Sequence, residues 1–428
     1  MVTTEAPPLD TRHEPIWKDP VFWFVIVLGV GYGAVYNILP TSFPIFYREF
    51  GTSLRQMGYA QSIFFISCLV FSVVGGPAIS AFGLKRSAMV ALAMAGILLV
   101  VIGGAHEFRS VLLCAGLYGF SIIALVVIEC SIVSGHFREG RQSVFFLVSL
   151  SDSGGSMIGP ALFGWWFVQA EHWKMSWRLG YFAAAGVMAF LLIWALFMRS
   201  DSMPGDSFKP DTPGGGLSVI KGVLSVTAFY VAVLLEFCHG VAQGGMISFM
   251  GQLYVAKLHI DPGHAAYLLS LNAAGILGGR LMLSWITMHW AIPELVVISV
   301  CAIAETAAFL GAILSPSYLG GAIMFMLGGV FVSAIGPSLN SYLGGKFSNC
   351  TATAFSLFAG LGNVGAAVGP LLIGIIGNRL GVQTGILFAP LFTTLLSAIA
   401  LAWFMREKHF TENATSLQHE IAATSHDE

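Results

Sequence analysis

The sequence predicts an all-α, polytopic membrane protein with twelve transmembrane helices in two six-helix halves. Three observations predict it: a composition unsuited to water, a division of the chain into apolar runs of membrane-crossing length, and a pattern of glycines that repeats between the halves. Of the 428 residues, 56% are hydrophobic and only 10% are Asp, Glu, Lys or Arg, where a soluble domain carries about 25%. So few charges cannot coat a water-facing surface, which leaves lipid as the solvent. The formal net charge of -2 comes with no clustered basic patch, so nucleic acid is excluded as a partner and the lipid bilayer is the expected one.

Residues 1–20 read as a polar N-terminal tail. Pro7, Pro8, Asp10, Arg12, His13 and Lys18 deny it the apolar stretch and small-residue cleavage site of a signal peptide, so the first apolar run is a retained membrane helix. A span needs about 20 mostly apolar residues. That yardstick gives helices 1 to 6 at 21–46, 56–80, 87–105, 110–136, 142–168 and 178–198, forming an N-terminal half over 21–198. Asp201, Pro204, Gly205, Asp206, Lys209, Pro210, Asp211 and Pro213 make 199–221 a linker. Helices 7 to 12 follow at 222–250, 264–288, 292–314, 317–344, 352–377 and 383–405, giving a C-terminal half over 222–405 and a tail over 406–428.

Lys and Arg concentrate in cytoplasmic loops. With both termini inside, Arg12, Lys18, Lys85, Arg86, Arg138, Arg141, Arg199, Lys209, Lys221, Lys346, Arg406 and Lys408 are cytoplasmic, against Arg48, Arg55, Arg109, Lys174, Arg178, Lys257 and Arg379 outside. The majority predicts a multi-pass protein of the cell membrane with cytoplasmic tails and linker. Asn349-Cys350-Thr351 and Asn413-Ala414-Thr415 match the glycosylation pattern but fall on the cytoplasmic side in this topology, so they are discounted. The six cysteines fall mostly inside apolar runs without metal or disulfide spacing, and read as small core residues. No metal and no cofactor is expected.

Gly119, Gly135, Phe137, Gly155, Gly159, Pro160 and Gly164 recur 210 residues later as Gly329, Gly345, Phe347, Gly365, Gly369, Pro370 and Gly374. The shared offset spans helices 4 and 5 against 10 and 11 without a gap. Parallel repeats of this kind arise in transporters whose halves are related by an axis along the membrane normal. The run from Gly76 through Gly83 to Lys85-Arg86, the Gly155-x-x-x-Gly159-Pro160 pattern and Gly279-Arg280 together resemble the major facilitator superfamily over nearly the whole chain. The departure is Ser80, where that family usually carries Asp in its cytoplasmic latch. Within the superfamily, Glu236 to Gly251, Tyr267 to Ser270 and Gly278-Gly279-Arg280 resemble the fucose, glucose and galactose cation symporters. Those place one acid in helix 1 and one in helix 4; here helix 4 carries Glu129, but helix 1 offers Tyr32, Tyr36 and Asn37. The small-xxx-small spacing of helices 5 and 11 lets backbones approach closely, and these two helices are expected to form the hinge-like seam between the halves.

Ionisable groups inside hydrocarbon cost about 2.5–3.5 kcal/mol each and face a bundle interior or a wet cavity. Glu129, Asp152, Glu236, Arg280 and Glu305 pass that filter, with His239 beside them. Asp152 and Arg280 lie at matching depths, so a gating pair made in one transport state and broken in the other is expected; snorkelling of Arg280 to water is the alternative. Glu129 is the proton-coupling candidate, because burial disfavours a charged carboxyl and a nearby cation favours it; the alternative is a fixed ion pair with Arg280 or Arg138. Glu236, His239 and Gln243 share one helical face. With Tyr36, Asn37, Asn272, Asn340 and Asn363 they form the expected substrate-binding set. Amides and hydroxyls beside aromatics suit a polyhydroxylated solute, whereas an anion would call for more than one buried cation. For each Asn, an interhelical hydrogen bond is the competing role. Glu305, on peripheral helix 9, is expected to satisfy a neighbouring helix, and His136, His264 and His289 to be solvated near loops.

No nucleotide loop, zinc-protease helix, nucleophile elbow or dinucleotide fingerprint is present, so no enzyme and no ATP-driven pump is predicted. The expected function is secondary active transport of a small polar solute, a sugar first, by alternating access, with a proton as coupling cation and sodium as its alternative. The runners-up are a proton-coupled exporter of organic compounds and an organic-anion transporter, with a binding-only receptor as the reading from another class.

Overall fold

The computed structural model describes residues 16–137, 141–198, 221–290, 292–347 and 351–424. The linker 199–220, Arg138 and Asn349 lie outside the described residues. Twelve helical spans follow one another. α1 is Pro20–Phe50, broken at Asn37 into Pro20–Tyr36 and Ile38–Phe50. α2 is Leu54–Phe82, α3 Leu84–Gly103, α4 Phe108–His136, α5 Arg141–His172 and α6 Arg178–Phe197. α7 is Thr227–Leu258, α8 Pro262–His289, α9 Glu294–Leu314, α10 Tyr318–Lys346 and α11 Thr351–Leu380; α12 is Val382–Ile386 continued by Phe388–Thr424.

Local chemistry sets several boundaries. Asp19 accepts from the Val21 amide with Pro20 at the first helical position, and Asp261 with Pro262 repeats the device for α8. Ser53 and Gln56 form a reciprocal capping box for α2. Gly83, at φ +81°, makes the sharp passage from α2 to α3. Lys85 then donates to the carbonyls of Leu196 and Met198, placing a cation on the C-terminal carbonyls of α6. The helices outrun the apolar segments: α7 ends at Leu258 rather than 250, and α12 continues to Thr424 through the predicted tail. Hydropathy marks the thickness of the hydrocarbon, whereas backbone hydrogen bonding carries a helix beyond it. Among the described residues ten helices are long and apolar enough to cross a membrane; α2 and α5 are not among the ten.

The glycine repeat is a packing repeat. An added Cβ at Gly155 would strike the Val30 carbonyl and at Gly365 the Phe237 carbonyl; Gly159 and Gly369 likewise sit on the backbones of Ala34 and Val241. The small-xxx-small spacing therefore joins α5 to α1 and α11 to α7 inside each half, while the same two helices form the expected seam by packing on α8 and α2 of the opposite half. Five residues on, about 140° round the helix, Gly164 meets the Gly263 carbonyl of α8 and Gly374 the Leu54 carbonyl of α2. Those contacts cross between halves.

One apolar cluster runs from the N-terminal helices into Phe249, Tyr254, Leu268 and Phe325, with Phe43 and Phe249 rings 6.2 Å apart. Within the first half it runs the length of the helices, from Val21, Leu84 and Met198 onward, but it crosses to the second half only toward the end of the bundle away from the termini. A second cluster, including Phe229, Leu235, Ile298, Leu339 and Phe347, belongs to α7–α12 alone at the end that carries the termini. The bundle is thus sealed across its halves at one end and divided at the other.

Candidate functional site

Between the halves lies a cavity of about 310 Å³. The break in α1 supplies its first wall. Pro40 and Pro44 lack amide hydrogens, and Asn37 caps the first segment while its carbonyl accepts from Thr41. Tyr32, Tyr36 and Asn37 line the cavity from this segment. Tyr36 is held edge-on to Phe64 at 5.6 Å.

From α5 come Asp152, Ser153 and Ser156, and from α4 the apolar Ile123 and Val126. The second half answers with Gln243 and Ile247 of α7 and with Asn272, Ile276 and Arg280 of α8. Asn272 also donates to the Phe325 carbonyl at 2.9 Å, so it ties α8 to α10 while lining the cavity. Gly279 sits against Val330 and Ser333 of α10, and the next residue along the helix, turned by about 100°, is Arg280.

Arg280 donates to Ser153 Oγ at 2.7 Å and to Ser149 Oγ at 3.1 Å. It does not bond directly to Asp152 among the described contacts, although both line the cavity. The guanidinium also borders a second cavity of about 440 Å³, lined by Ser149, Ser333, Pro337 and Asn340 toward the end with the termini. Arg280 therefore stands where the two cavities meet.

Glu129 is 1% exposed. Its Oε2 accepts from the Tyr32 hydroxyl at 2.6 Å, while Oε1 has no partner among the described residues. Glycines of α1 make room for the acids: an added Cβ would lie 2.8 Å from Glu129 Oε1 at Gly29 and 3.1 Å from Asp152 Oδ1 at Gly33. Two carboxyls of neighbouring helices thus flank Tyr32 one turn apart.

The predicted set divides by place. Tyr36, Asn37, Asp152, Gln243, Asn272 and Arg280 converge on the central cavity, and Asn340 borders the second. Glu236, His239 and Asn363 line neither, and Glu236 packs on Gly362 of α11. Glu305 is fully buried, with both oxygens unpartnered among the described residues, beside a seam of Thr306–Thr393 and Ser299–Ser397 contacts. His136 is held by Asp19 at 2.7 Å. Sequence reasoning missed the serines that hold Arg280; the i, i+4 spacing of Ser149 and Ser153 on one face of α5 was the available signal.

A family model described as Major Facilitator Superfamily matches residues 25–349 and 232–425. No curated protein matches the chain. Among solved structures, a mutant form of the nucleoside transporter NupG is similar at 13% identity and TM-score 0.75, covering 90% of this chain and 100% of its own. A bacterial homolog of the human lysosomal transporter Spinster, in an inward-facing and occupied conformation, gives 14% and 0.73 over 91% and 97%. The transporter FucP in its outward conformation gives 18% and 0.61 over 89% and 97%.

Proposed function

Because this chain belongs to the major facilitator superfamily, and is thus a multi-pass membrane transporter, we propose that it moves a small polar solute, a sugar first, by cation-coupled alternating access, with the proton as the coupling ion. The observation that carries this reading is the central cavity: tyrosine rings, amides and hydroxyls from both halves, with one carboxylate and one guanidinium. A polyhydroxylated solute needs many hydrogen bonds and a flat apolar face. Tyr36, Asn37, Gln243 and Asn272 offer both, and Asn340 lies on the path toward the divided end. With the termini in the cytoplasm of a cell membrane, that divided end faces inward. Similar folds include that of a fucose:proton symporter from E. coli, which accords with this class.

Glu129 is assigned the proton. The Tyr32 hydroxyl can donate to the Glu129 carboxylate or accept from its carboxyl, giving it a partner in either charge state, and opening the cavity to water would change which state is favoured. The decisive experiment is uptake of labelled monosaccharides into liposomes holding the purified protein, with and without an inward proton gradient. Accumulation above the equilibrium level only with the gradient is the expected result. Glu129→Gln should abolish that accumulation while retaining solute exchange across membranes without a gradient. Gradient-driven accumulation by Glu129→Gln would remove Glu129 from the mechanism.

A singly charged organic anion is the second reading. Arg280 favours it, since its guanidinium borders both cavities and is held by serines rather than by a carboxylate. Accumulation of labelled monocarboxylates but of no sugar in the same assay would select it.

A further inference from the structure

The internal repeat equates more than glycines. Val30 and Phe237 occupy matching contacts under Gly155 and Gly365, and Ala34 and Val241 under Gly159 and Gly369, so α1 maps on α7 at an offset of 207. At that offset Gly29, Tyr32 and Tyr36 correspond to Glu236, His239 and Gln243. On α5 and α11, at the offset of 210, Asp152 corresponds to Gly362. In the first half an acid on α5 lies against glycines of α1; in the second an acid on α7 lies against a glycine of α11. An added Cβ at Gly362 would come 3.1 Å from Glu236 Cβ and collide with its Cγ. The same contact in the two halves thus carries a carboxyl, with the donating helix exchanged.

The partner groups have also changed. Tyr32 donates to Glu129, whereas its counterpart is the imidazole of His239, 8% exposed. Glu236 Oε2 and His239 Nδ1 are both buried without a hydrogen-bond partner among the described residues. They continue, toward the termini, the face of α7 on which Gln243 and Ile247 line the cavity. No charged side chain of the packed helices α1, α8, α10, α11 and α12 bonds to either group among the described residues. The titratable neighbour on their own helix is Cys238.

We propose that Glu236 and His239 form a second proton-binding site, in the C-terminal half, at the position that the repeat makes equivalent to the carboxyl site around Tyr32. One proton taken up by the pair brings its net charge from minus one to zero, either on the carboxyl or shared as carboxylate and imidazolium. The neutral pair suits the dry packing against Gly362; the negative pair requires water to reach this face. Loading is therefore tied to how closely α7 and α11 pack. This rests on the cation-coupled reading of transport, but the proton itself is the probe, so no solute is needed to test it.

The experiment is an infrared titration of the reconstituted full chain, following the carboxyl C=O stretch from alkaline to acid pH. Glu236→Gln should delete one titrating band and leave those of Glu129 and Asp152. His239→Gln should move the midpoint of the deleted band. Gly362→Ala, which displaces the Glu236 stem and removes no titratable group, should move it too. A Glu236→Gln spectrum identical to wild type, or a Glu236 band that never titrates, overturns the site even if Glu129→Gln abolishes coupled uptake. Loss of the band in Glu236→Gln with coupled uptake intact in Glu129→Gln supports the site and overturns the assignment of Glu129.

Discussion

Alanine at Gly164 or Gly374 should shift the protein toward the state that opens at the end away from the termini. A Cβ at Gly164 would lie 2.6 Å from the Gly263 carbonyl and 3.0 Å from Ala266 Cβ; at Gly374 it would lie 2.8 Å from the Leu54 carbonyl and 3.1 Å from Gly58 Cα. Comfortable separations are about 3.5–4.0 Å, so either helix pair must part by about 1 Å. Overpacking of this kind costs about 1–3 kcal/mol. The cost falls on the state seen here, because both pairs cross between halves and separate when that end opens. An energy of that size moves a two-state equilibrium about 5- to 150-fold. The assay is a distance distribution between spin labels at Glu107→Cys and Leu319→Cys, both exposed at that end, in a background without the native cysteines. Each variant should enlarge the long-distance population. Gly186→Ala, with nothing within 4 Å of an added Cβ, should leave it unchanged. Unaltered distributions in folded Gly164→Ala and Gly374→Ala would refute the claim that these contacts are made in one state only.

Charge reversal tests the gating pair: Asp152→Arg and Arg280→Asp should each abolish uptake, and the double variant should recover part of it; no recovery counts against direct pairing in any state. Replacing both Ser149 and Ser153 by Ala should weaken solute binding or slow transport by about 10-fold or more, since hydrogen bonds to a charged group are worth about 1.5–3 kcal/mol each; unchanged kinetics would show that the serines do not position Arg280. Lys85→Ala should lower stability by about 0.5–1.5 kcal/mol through loss of the α6 cap, read as an earlier unfolding transition in detergent with solute exchange retained.

The membrane class, the twelve spans and the repeat were legible because each follows from composition or spacing, which survive without knowledge of side-chain directions. The convergence of Tyr36, Asn37, Asp152, Gln243, Asn272 and Arg280 was legible for a related reason: polar groups in hydrocarbon must look inward. Which neighbour each inward group meets was not. Glu236 and Gln243 share a face of α7, yet one packs on α11 and the other reaches the cavity, because that face is covered by different helices along its length. Arg280 was read against the nearest acid in depth, whereas the hydroxyls of Ser149, three residues before that acid, and of Ser153, one after it, hold the guanidinium. The seam role of helices 5 and 11 was legible, but the partner of the Gly155 spacing was not, because periodicity shows that two helices approach closely but not which two.

The placement of those glycines constrains how the halves can move. Gly155 and Gly159 lock α5 to α1, and Gly365 and Gly369 lock α11 to α7, by backbone contact that an opening motion would have to break within a half. The contacts between halves are of another kind. Gly58, Gly164 and Gly374 meet backbone atoms of the opposite half near one end, Ser62 donates to the Ala367 carbonyl farther along, and Arg280 reaches Ser149 and Ser153 beside the cavity. Packed interfaces switch between discrete arrangements rather than deform continuously. Rigid halves rocking along α2–α11 and α5–α8 thus require less disruption than bending within a half. Tight glycine contacts would part at one end as polar contacts form at the other. On this geometry the hydrogen bonds of Arg280 are the part of the seam that a solute in the central cavity can touch, and so the part through which its binding can bias the two states.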